Sequence, residues 1–552
     1  MNWTRGKYNY YDPTIIPMGG WNLSDRIGAI APYVLILLVS TVVRLYHLMN
    51  PLTFPGYSGT LSKNGADEGI FLMTSRLVDK GARMYVDVNT HQGPLFSLVF
   101  QVLNGDPLVI RSMTVIISLV GIAALIMTAH MSAGRRVAVV SSIFLSFNFV
   151  YFKVSRQASF DLYCTVLLTL AFLALVKYYQ LIRDDPNGRW KVYLSLTAAG
   201  ILFSTAAMSK LFAVVPILSV GVYMLVGWIR RRKIEGNGPL LHILVLVVFT
   251  ALPALGMMFI YGFQETLSGM LLSNIGRPPV PLDRRAGVLF KFLVMASVPL
   301  ILSLICMVRD RNDRTVQLML LWLVPLFIFI LFQSAIWDHY LMILLPPMCF
   351  LAGKGFDNLQ RKLRSGKKVR AAIGRGEDGT KGAQRPHFGV AGVITVLSVA
   401  FIILSVVSIT GLVMISDKEV EQQVADEVSS LTKSSDMIIS GDPIIGVYAE
   451  RLQPPEATNI AMVRSPPLMD NDLVNITCDH EVKVVVFTYN LVNYDLYLDF
   501  IRENYQFHRA YTWTGKISDV EGEIPIDLDT FNIYIRPDNL DLEEARERFF
   551  HG

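Results

Sequence analysis

Residues 64–94 read NGADEGIFLMTSRLVDKGARMYVDVNTHQGP and form the first long polar segment between two apolar spans. Asp67 and Glu68 open a series of apolar residues at helical spacing, and Lys80-Gly81 ends it. The pattern predicts a short amphipathic helix that rests on a membrane surface. A turn-rich unit follows before Pro94, and its polar side chains are those of Tyr85, Asp87, His91 and Gln92.

The Asp67-Glu68 pair has two interpretations. Carboxylates on an ordered loop at a membrane face can supply a general base or a metal ligand. Carboxylates in the first turn of a helix also stabilise it simply by facing the free N–H groups and the positive end of the dipole. The residues outside this segment therefore have to distinguish the two interpretations of the carboxylate pair.

Composition places the chain among polytopic membrane proteins. Of its 552 residues, 52% are hydrophobic and only 17% are charged, and the mean hydropathy is +0.42. The four cysteines support neither a disulfide framework nor a cysteine metal motif. The segment 1–27 lacks the features of a signal peptide, so it is predicted to stay as a cytoplasmic segment before a retained anchor.

Eleven transmembrane helices are predicted, since each apolar run approaches the ~20 residues that cross a bilayer. The connections alternate in Lys and Arg content, which predicts that the loop 49–106 and the tail after Ile415 are extracytoplasmic. Nucleic-acid binding is not needed to explain the charge asymmetry. The predicted spans cover 28–48, 107–130, 137–152, 160–178, 192–208, 211–229, 240–262, 287–308, 315–334, 338–353 and 389–415.

Two further regions complete the predicted organisation around a membrane domain at 28–416. The stretch 354–387 is rich in Gly, Lys and Arg and is predicted to be a flexible cytoplasmic linker near anionic lipids. Strand and helix patterns alternate over 417–552, which predicts a soluble extracytoplasmic α/β domain with a mostly parallel sheet.

Charged residues gather at the predicted outer ends of the spans rather than at mid-membrane. Ionisable groups there are candidates for function, because a lipid phosphate needs Arg or Lys partners and a sugar hydroxyl needs a nearby base. The alternative is that long basic side chains merely reach toward the interface. The candidates are Arg44, Arg156, Asp161, Lys210, Arg277 and His339.

Several of these residues stand in motifs that resemble the GT-C membrane glycosyltransferases, in particular the protein O-mannosyltransferase and lipid A aminoarabinose transferase families. The motifs are Arg44-Leu-Tyr-His-Leu, Ala66-Asp67-Glu68-Gly69, Gly81-Ala-Arg-Met-Tyr85-Val-Asp87, Ser155 to Asp161, Ser209-Lys210, and His339-Tyr340 with Leu345-Pro346-Pro347. His91-Gln-Gly-Pro94 replaces the family's Lys-Pro-Pro element, so no lysine role carries over there. The resemblance covers about 44–416.

The resemblance implies sugar transfer from a polyprenyl-phosphate donor to a lipid, glycan or protein acceptor on the extracytoplasmic side of the cell membrane. It implies Asp67 as the catalytic base with Glu68 in support, Asp67 and Asp161 as ligands of a divalent cation (Mg²⁺ or Mn²⁺), and Arg156 and Lys210 as phosphate ligands. We add Arg277 to the phosphate ligands. Substrate contacts are predicted for Arg44, Tyr85, Asp87, His91, Gln92 and His339.

Two other functional classes fit a polytopic chain. A transporter or flippase of lipid-linked sugars would place charges near the bilayer midplane and break its spans in repeated halves, whereas here the charges gather at the outer ends. A non-catalytic membrane receptor would use the tail as its binding module and would tolerate replacement of Asp67. An inverting transferase is the leading hypothesis.

Overall fold

The computed structural model of the chain describes residues 23–49, 65–184, 189–235, 238–275, 279–373, 390–415, 420–460, 468–512 and 530–551. Most of them are helical, as the apolar runs predict. The membrane part contains α1 Leu23–Leu45, α2 Gly65–Asp79, α3 Pro94–Val102, α4 Pro107–Ala133, α5 Arg135–Ser146, α6 Phe149–Val154, α7 Phe160–Asp184, α8 Arg189–Ala207, α9 Val214–Glu235, α10 Gly238–Ile260, α11 Phe263–Leu267, α12 Ser273–Ile275, α13 Leu282–Met295, α14 Ser297–Arg309, α15 Arg314–Leu331, α16 Leu345–Ile373 and α17 Val390–Ile415.

Within the described residues, six helices are long and apolar enough to cross a membrane. The pair α13 and α14 would add a seventh span, although its two halves are bent by 74°. The chain is therefore an integral membrane protein with a polytopic helical domain. The number of eleven spans stays a prediction.

Besides 287–308, two predicted spans that lie near the candidate site differ from the observed helices. The span 137–152 is broken between α5 and α6, because the side chain of Asn148 accepts hydrogen bonds from the N–H groups of Val150 and Tyr151 and begins a new helix. The span 338–353 begins with a 3₁₀ turn at Asp338–Leu344, and α16 starts only at Leu345. Both irregular segments carry residues of the candidate site.

The prediction of a flexible linker from 354 is wrong for its first part, because α16 continues through Ile373. Lys354 Nζ lies 2.6 Å from Asp313 Oδ2, and Arg361 pairs with Asp357 one turn earlier on the same helix. These ion pairs stabilise a helix where composition alone indicated none. Residues 374–387 lie outside the described part of the chain.

The tail folds as the predicted α/β domain, but its sheet is mixed rather than mostly parallel. Among the described strands of the tail, only β1 Ile438–Ser440 and β2 Val484–Phe487 pair in parallel. The strand β4 Thr530–Ile535 is antiparallel to both β2 and β3 Gln506–Thr512, and the order in the sheet is β1-β2-β4-β3. The sheet differs from the prediction because β4 lies between β2 and β3 and runs antiparallel to both neighbours. The elements are α18 Val420–Leu431, β1 Ile438–Ser440, α19 Ile444–Tyr448, α20 Asp470–Asp479, β2 Val484–Phe487, α21 Asp495–Asn504, β3 Gln506–Thr512, β4 Thr530–Ile535 and α22 Leu542–His551.

Helix α2 has the predicted bounds but not the predicted surroundings. Leu72 and Met73 are completely buried, and α2 packs against α3 on one side and α19 of the tail on the other. One apolar core joins α2, α3 and α7 to α18, α19 and the sheet. The helix is therefore enclosed between the membrane domain and the tail and does not rest on a membrane surface.

Candidate active site

Two carboxylates from distant helices meet at one histidine. Asp67 and Asp161 lie in the first turns of α2 and α7. His339, in the turn before α16, holds its Nε2 3.6 Å from Asp67 Oδ2 and 4.0 Å from Asp161 Oδ2. Lys210, in the turn after α8, places Nζ 2.5 Å from Asp161 Oδ1. The structure thus brings four predicted residues together; we call them the Asp67 cluster.

Exposure differs sharply within the Asp67 cluster. The side chain of Asp67 is 49% exposed, whereas that of His339 is 11% exposed and those of Asp161 and Lys210 are still more enclosed. Lys210 is held further by the ring of Tyr340, whose centroid lies 4.1 Å from Nζ. Asp67 is therefore the member that a substrate can reach, whereas the other three side chains are enclosed beneath it.

A third acid and a second lysine extend the cluster. Asp338 Oδ1 lies 3.5 Å from His339 Nδ1, and Asp338 Oδ2 lies 3.4 Å from Lys153 Nζ. His339 therefore lies beside the carboxylates of Asp67, Asp161 and Asp338.

Glu68 faces away from this opening and is fully engaged inside the protein. Arg111 of α4 donates to it from Nε at 3.0 Å and from Nη2 at 2.8 Å, and the N–H of Ala158 donates at 2.9 Å. The carboxylate and the guanidinium are 1% and 4% exposed. Since these three donors enclose Glu68, its geometry fits a residue that holds α2 in place and so supports the neighbouring Asp67; its predicted part in catalysis stays a prediction.

The predicted contacts of Arg44 and Arg156 with substrate or phosphate are not supported. Arg44 is completely buried and donates to Ser155 Oγ and to the carbonyl oxygen of Ser146. Arg156 donates to the carbonyl oxygens of Arg44, Tyr46 and His47 at the end of α1. Both guanidinium groups therefore join α1 to the segment before α7, because they satisfy carbonyls that the end of a helix leaves without partners.

The turn-rich unit after α2 lines a cavity of about 330 Å³. The cavity lies between residues 85–90, the segment 268–273 and Glu456 of the tail. Tyr85 has a positive φ of 69° and donates its hydroxyl hydrogen to the carbonyl oxygen of Gln92 at 2.7 Å. Asp87 lines the cavity and pairs with Arg83 at 3.0 Å.

The same unit is connected to the Asp67 cluster through its backbone. Gly93 donates its N–H to the carbonyl oxygen of Ser209, next to Lys210, and a Cβ at Gly93 would lie 1.6 Å from the carbonyl oxygen of Met208. The carbonyl oxygen of His91 accepts from Asn274 Nδ2 at 3.4 Å. Gln92 is buried beside them. Arg277 lies outside the described residues.

Sequence reasoning missed Arg111, Asp338 and Tyr448. Arg111 carries a signal that could have been used, because a charge within an apolar helix is costly unless it has a partner. Asp338 directly precedes His339 in the sequence, and its charge at the outer end of a predicted span is the signal that could have found it. Tyr448 offers no such signal: its hydroxyl accepts from Arg111 Nη2 at 2.8 Å across 337 positions of sequence, and only folding reveals that contact.

Comparison with known proteins agrees with this architecture. Residues 94–256 match the family model described as dolichyl-phosphate-mannose-protein mannosyltransferase. No curated protein sequence matches the chain.

Among solved structures, ArnT from Cupriavidus metallidurans in the apo state is similar, with a TM-score of 0.60, 14% identity, and coverage of 93% of this chain and 98% of that one. The same protein bound to undecaprenyl phosphate gives a TM-score of 0.59 at 14% identity, covering 93% and 99%. The Archaeoglobus fulgidus oligosaccharyltransferase in the apo form gives 0.51 at 13% identity, covering 96% and 78%. The resemblance to the GT-C superfamily is confirmed: the chain is a membrane protein with the fold of the GT-C glycosyltransferases.

Proposed function

We propose that this protein transfers a sugar from a polyprenyl-phosphate donor to a hydroxyl-bearing acceptor on the extracytoplasmic face of the cell membrane. The observation that carries the proposal is the Asp67 cluster, in which one exposed carboxylate stands beside an enclosed histidine and lysine. The similar ArnT structure holds undecaprenyl phosphate, which supports a lipid phosphate as the donor's leaving group.

In the proposed reaction Asp67 takes the proton of the acceptor hydroxyl. The acceptor oxygen then forms a bond to the anomeric carbon while the bond from that carbon to the phosphate oxygen breaks, which inverts the configuration. The bonding electron pair leaves with the polyprenyl phosphate. Lys210 and His339 stabilise the charge that grows on this phosphate, since prearranged cations at a developing charge lower the barrier.

A divalent cation fits this site only together with the donor. With His339 protonated, the charges of Asp67 and Asp161 are balanced by His339 and Lys210, so an incoming phosphate would add negative charge. Within the described residues, no three His, Cys, Asp or Glu side chains are arranged to hold an ion. Mg²⁺ commonly binds one or two carboxylates together with substrate phosphates, and Asp67 and Asp161 would be those carboxylates. Bound there, the cation would add positive charge beside the phosphate.

The cavity beside Tyr85 is the place that we propose for the acceptor. Hydroxyl, amide and carboxylate groups line it, from Thr90, Ser268, Ser273, Asn89, Asp87 and Glu456, and none of the described lining residues is a Lys, Arg or His. Its volume lies at the lower end of the roughly 300–1,000 Å³ range of small-molecule sites. Such a lining suits a neutral, hydroxyl-rich glycan better than a phosphorylated one, because an anion would meet the carboxylates of Asp87 and Glu456.

The test is a transfer assay with purified protein and a panel of radiolabelled polyprenyl-phosphate sugars, with and without EDTA. Asp67→Asn keeps the size and the helix-capping ability of the side chain but removes the base, so transfer should fall about 100-fold or more. Asp79→Asn, at the exposed far end of α2, is the matched control and should retain activity. Near-normal turnover by Asp67→Asn would refute the mechanism, and lipid movement without sugar release would indicate a flippase.

A further inference from the structure

The tail contacts the helix of the Asp67 cluster through its own short helix α19. The approach is close: a Cβ at Gly69 would lie 2.3 Å from the backbone nitrogen of Ile444. Arg76, two turns further along α2, donates from Nη1 to the carbonyl oxygen of Val447 at 2.7 Å. The position of α2 is therefore fixed partly by the tail, beginning two residues after Asp67.

A continuous chain of hydrogen bonds leads from α19 to Glu68, the neighbour of Asp67, and to Ala158, which precedes Asp161 in the sequence. Arg111 Nη2 donates to Tyr448 Oη and to Glu68 Oε2, each at 2.8 Å. Glu68 follows Asp67 directly on α2. Its Oε1 accepts from the N–H of Ala158, three residues before Asp161. The chain Tyr448–Arg111–Glu68–Ala158 thus joins the tail to the first turns of α2 and α7.

We infer that Tyr448 is a positioning residue, through which the tail sets the distance between Asp67 and Asp161. The inference rests on the proposed function only for its activity readout. Arg111 satisfies Glu68 with Nε and Nη2, and Nη2 is shared with Tyr448. Because Nη1 donates to the carbonyl oxygen of Met49 at 3.2 Å, loss of the Tyr448 hydroxyl removes one of the contacts that orient the guanidinium and leaves the others in place. The apolar contacts of α19 do not depend on that hydroxyl, because Ile444, Ile445 and Val447 are buried independently of it.

The experiment compares Tyr448→Phe with Tyr505→Phe in the full-length protein. Tyr505 also loses a hydroxyl hydrogen bond, to the carbonyl oxygen of Val482 at 2.7 Å, but it lies in the core of the tail away from α2. For Tyr448→Phe we expect kcat to fall roughly tenfold, the scale of one hydrogen bond to a charged group. Binding of undecaprenyl phosphate should stay near wild type, and the thermal midpoint should fall by only a few degrees, as in Tyr505→Phe. Tyr505→Phe should lower the midpoint and leave kcat unchanged.

A readout that needs no turnover keeps this inference separate from the proposed function. Amide hydrogen exchange should become faster at Ala158 and in the first turn of α2 in Tyr448→Phe, but not in Tyr505→Phe. Unchanged exchange, or wild-type kcat in an active preparation of Tyr448→Phe, overturns the inference. If the wild-type protein transfers no sugar from any donor of the panel, the proposed function fails, and the exchange result alone decides whether Tyr448 positions α2 and α7.

Discussion

Replacing Arg111 by Met should be the most destabilising single change near the active site. Among the described residues, the substitution leaves the buried carboxylate of Glu68 with only the N–H of Ala158 as donor. Removing one partner of a buried ion pair costs about 3–5 kcal/mol, because the remaining charge has no compensation. At about 2 °C per kcal/mol, the lower end of the range for large domains, the thermal midpoint should fall by roughly 6–10 °C.

The assay is thermal unfolding of the purified full-length protein in detergent, followed by tryptophan fluorescence. A double variant, Arg111→Met with Glu68→Gln, supplies the control, since the amide oxygen can still accept from Ala158 while the uncompensated charge is gone. The double variant should recover more than half of the decrease in the thermal midpoint. If Arg111→Met unfolds at the wild-type midpoint, or if the double variant is less stable than the single one, the Glu68–Arg111 pair does not hold α2 to α4 as described.

Three further changes test other parts of the molecule. Ser268→Trp should fill the cavity and lower transfer more than tenfold while undecaprenyl phosphate still binds; unchanged transfer would exclude this cavity as the acceptor site. A cysteine at Gly65 should react with an impermeant maleimide in intact cells, and one at Asn312 only after lysis, because the four native cysteines are buried; the opposite pattern would invert the topology. Glu427 has its pKa lowered mainly by His508, so this pair stabilises the tail above about pH 4.5 and loses that effect as the pH falls through the lowered pKa. Glu427→Gln should therefore have a lower thermal midpoint than wild type at pH 7, and the difference between the two midpoints should be smaller at pH 3. Equal differences at both pH values would contradict this interpretation.

Local sequence patterns predicted the parts of this protein that depend on neighbouring residues. The bounds of α2, from its acidic first turn to Lys80-Gly81, agree with the structure within two residues at each end. Apolar length predicted the polytopic fold, and the residues of the Asp67 cluster were all candidates. These features were accessible because helix formation and membrane insertion respond to periodicity and hydropathy over some twenty residues.

Tertiary structure alone decided how the candidate charges are used. Arg156 and Lys210 looked equivalent in the sequence, yet one satisfies the carbonyls at the end of α1 and the other pairs with Asp161. Glu68 and Asp67 are adjacent, but their side chains leave α2 about 100° apart, so Glu68 turns inward to Arg111 and Asp67 turns to the opening. The pairing of Asp67 with His339 joins positions far apart in the chain. Only packing can create such a contact, because local pattern contains no information about which distant helix ends meet.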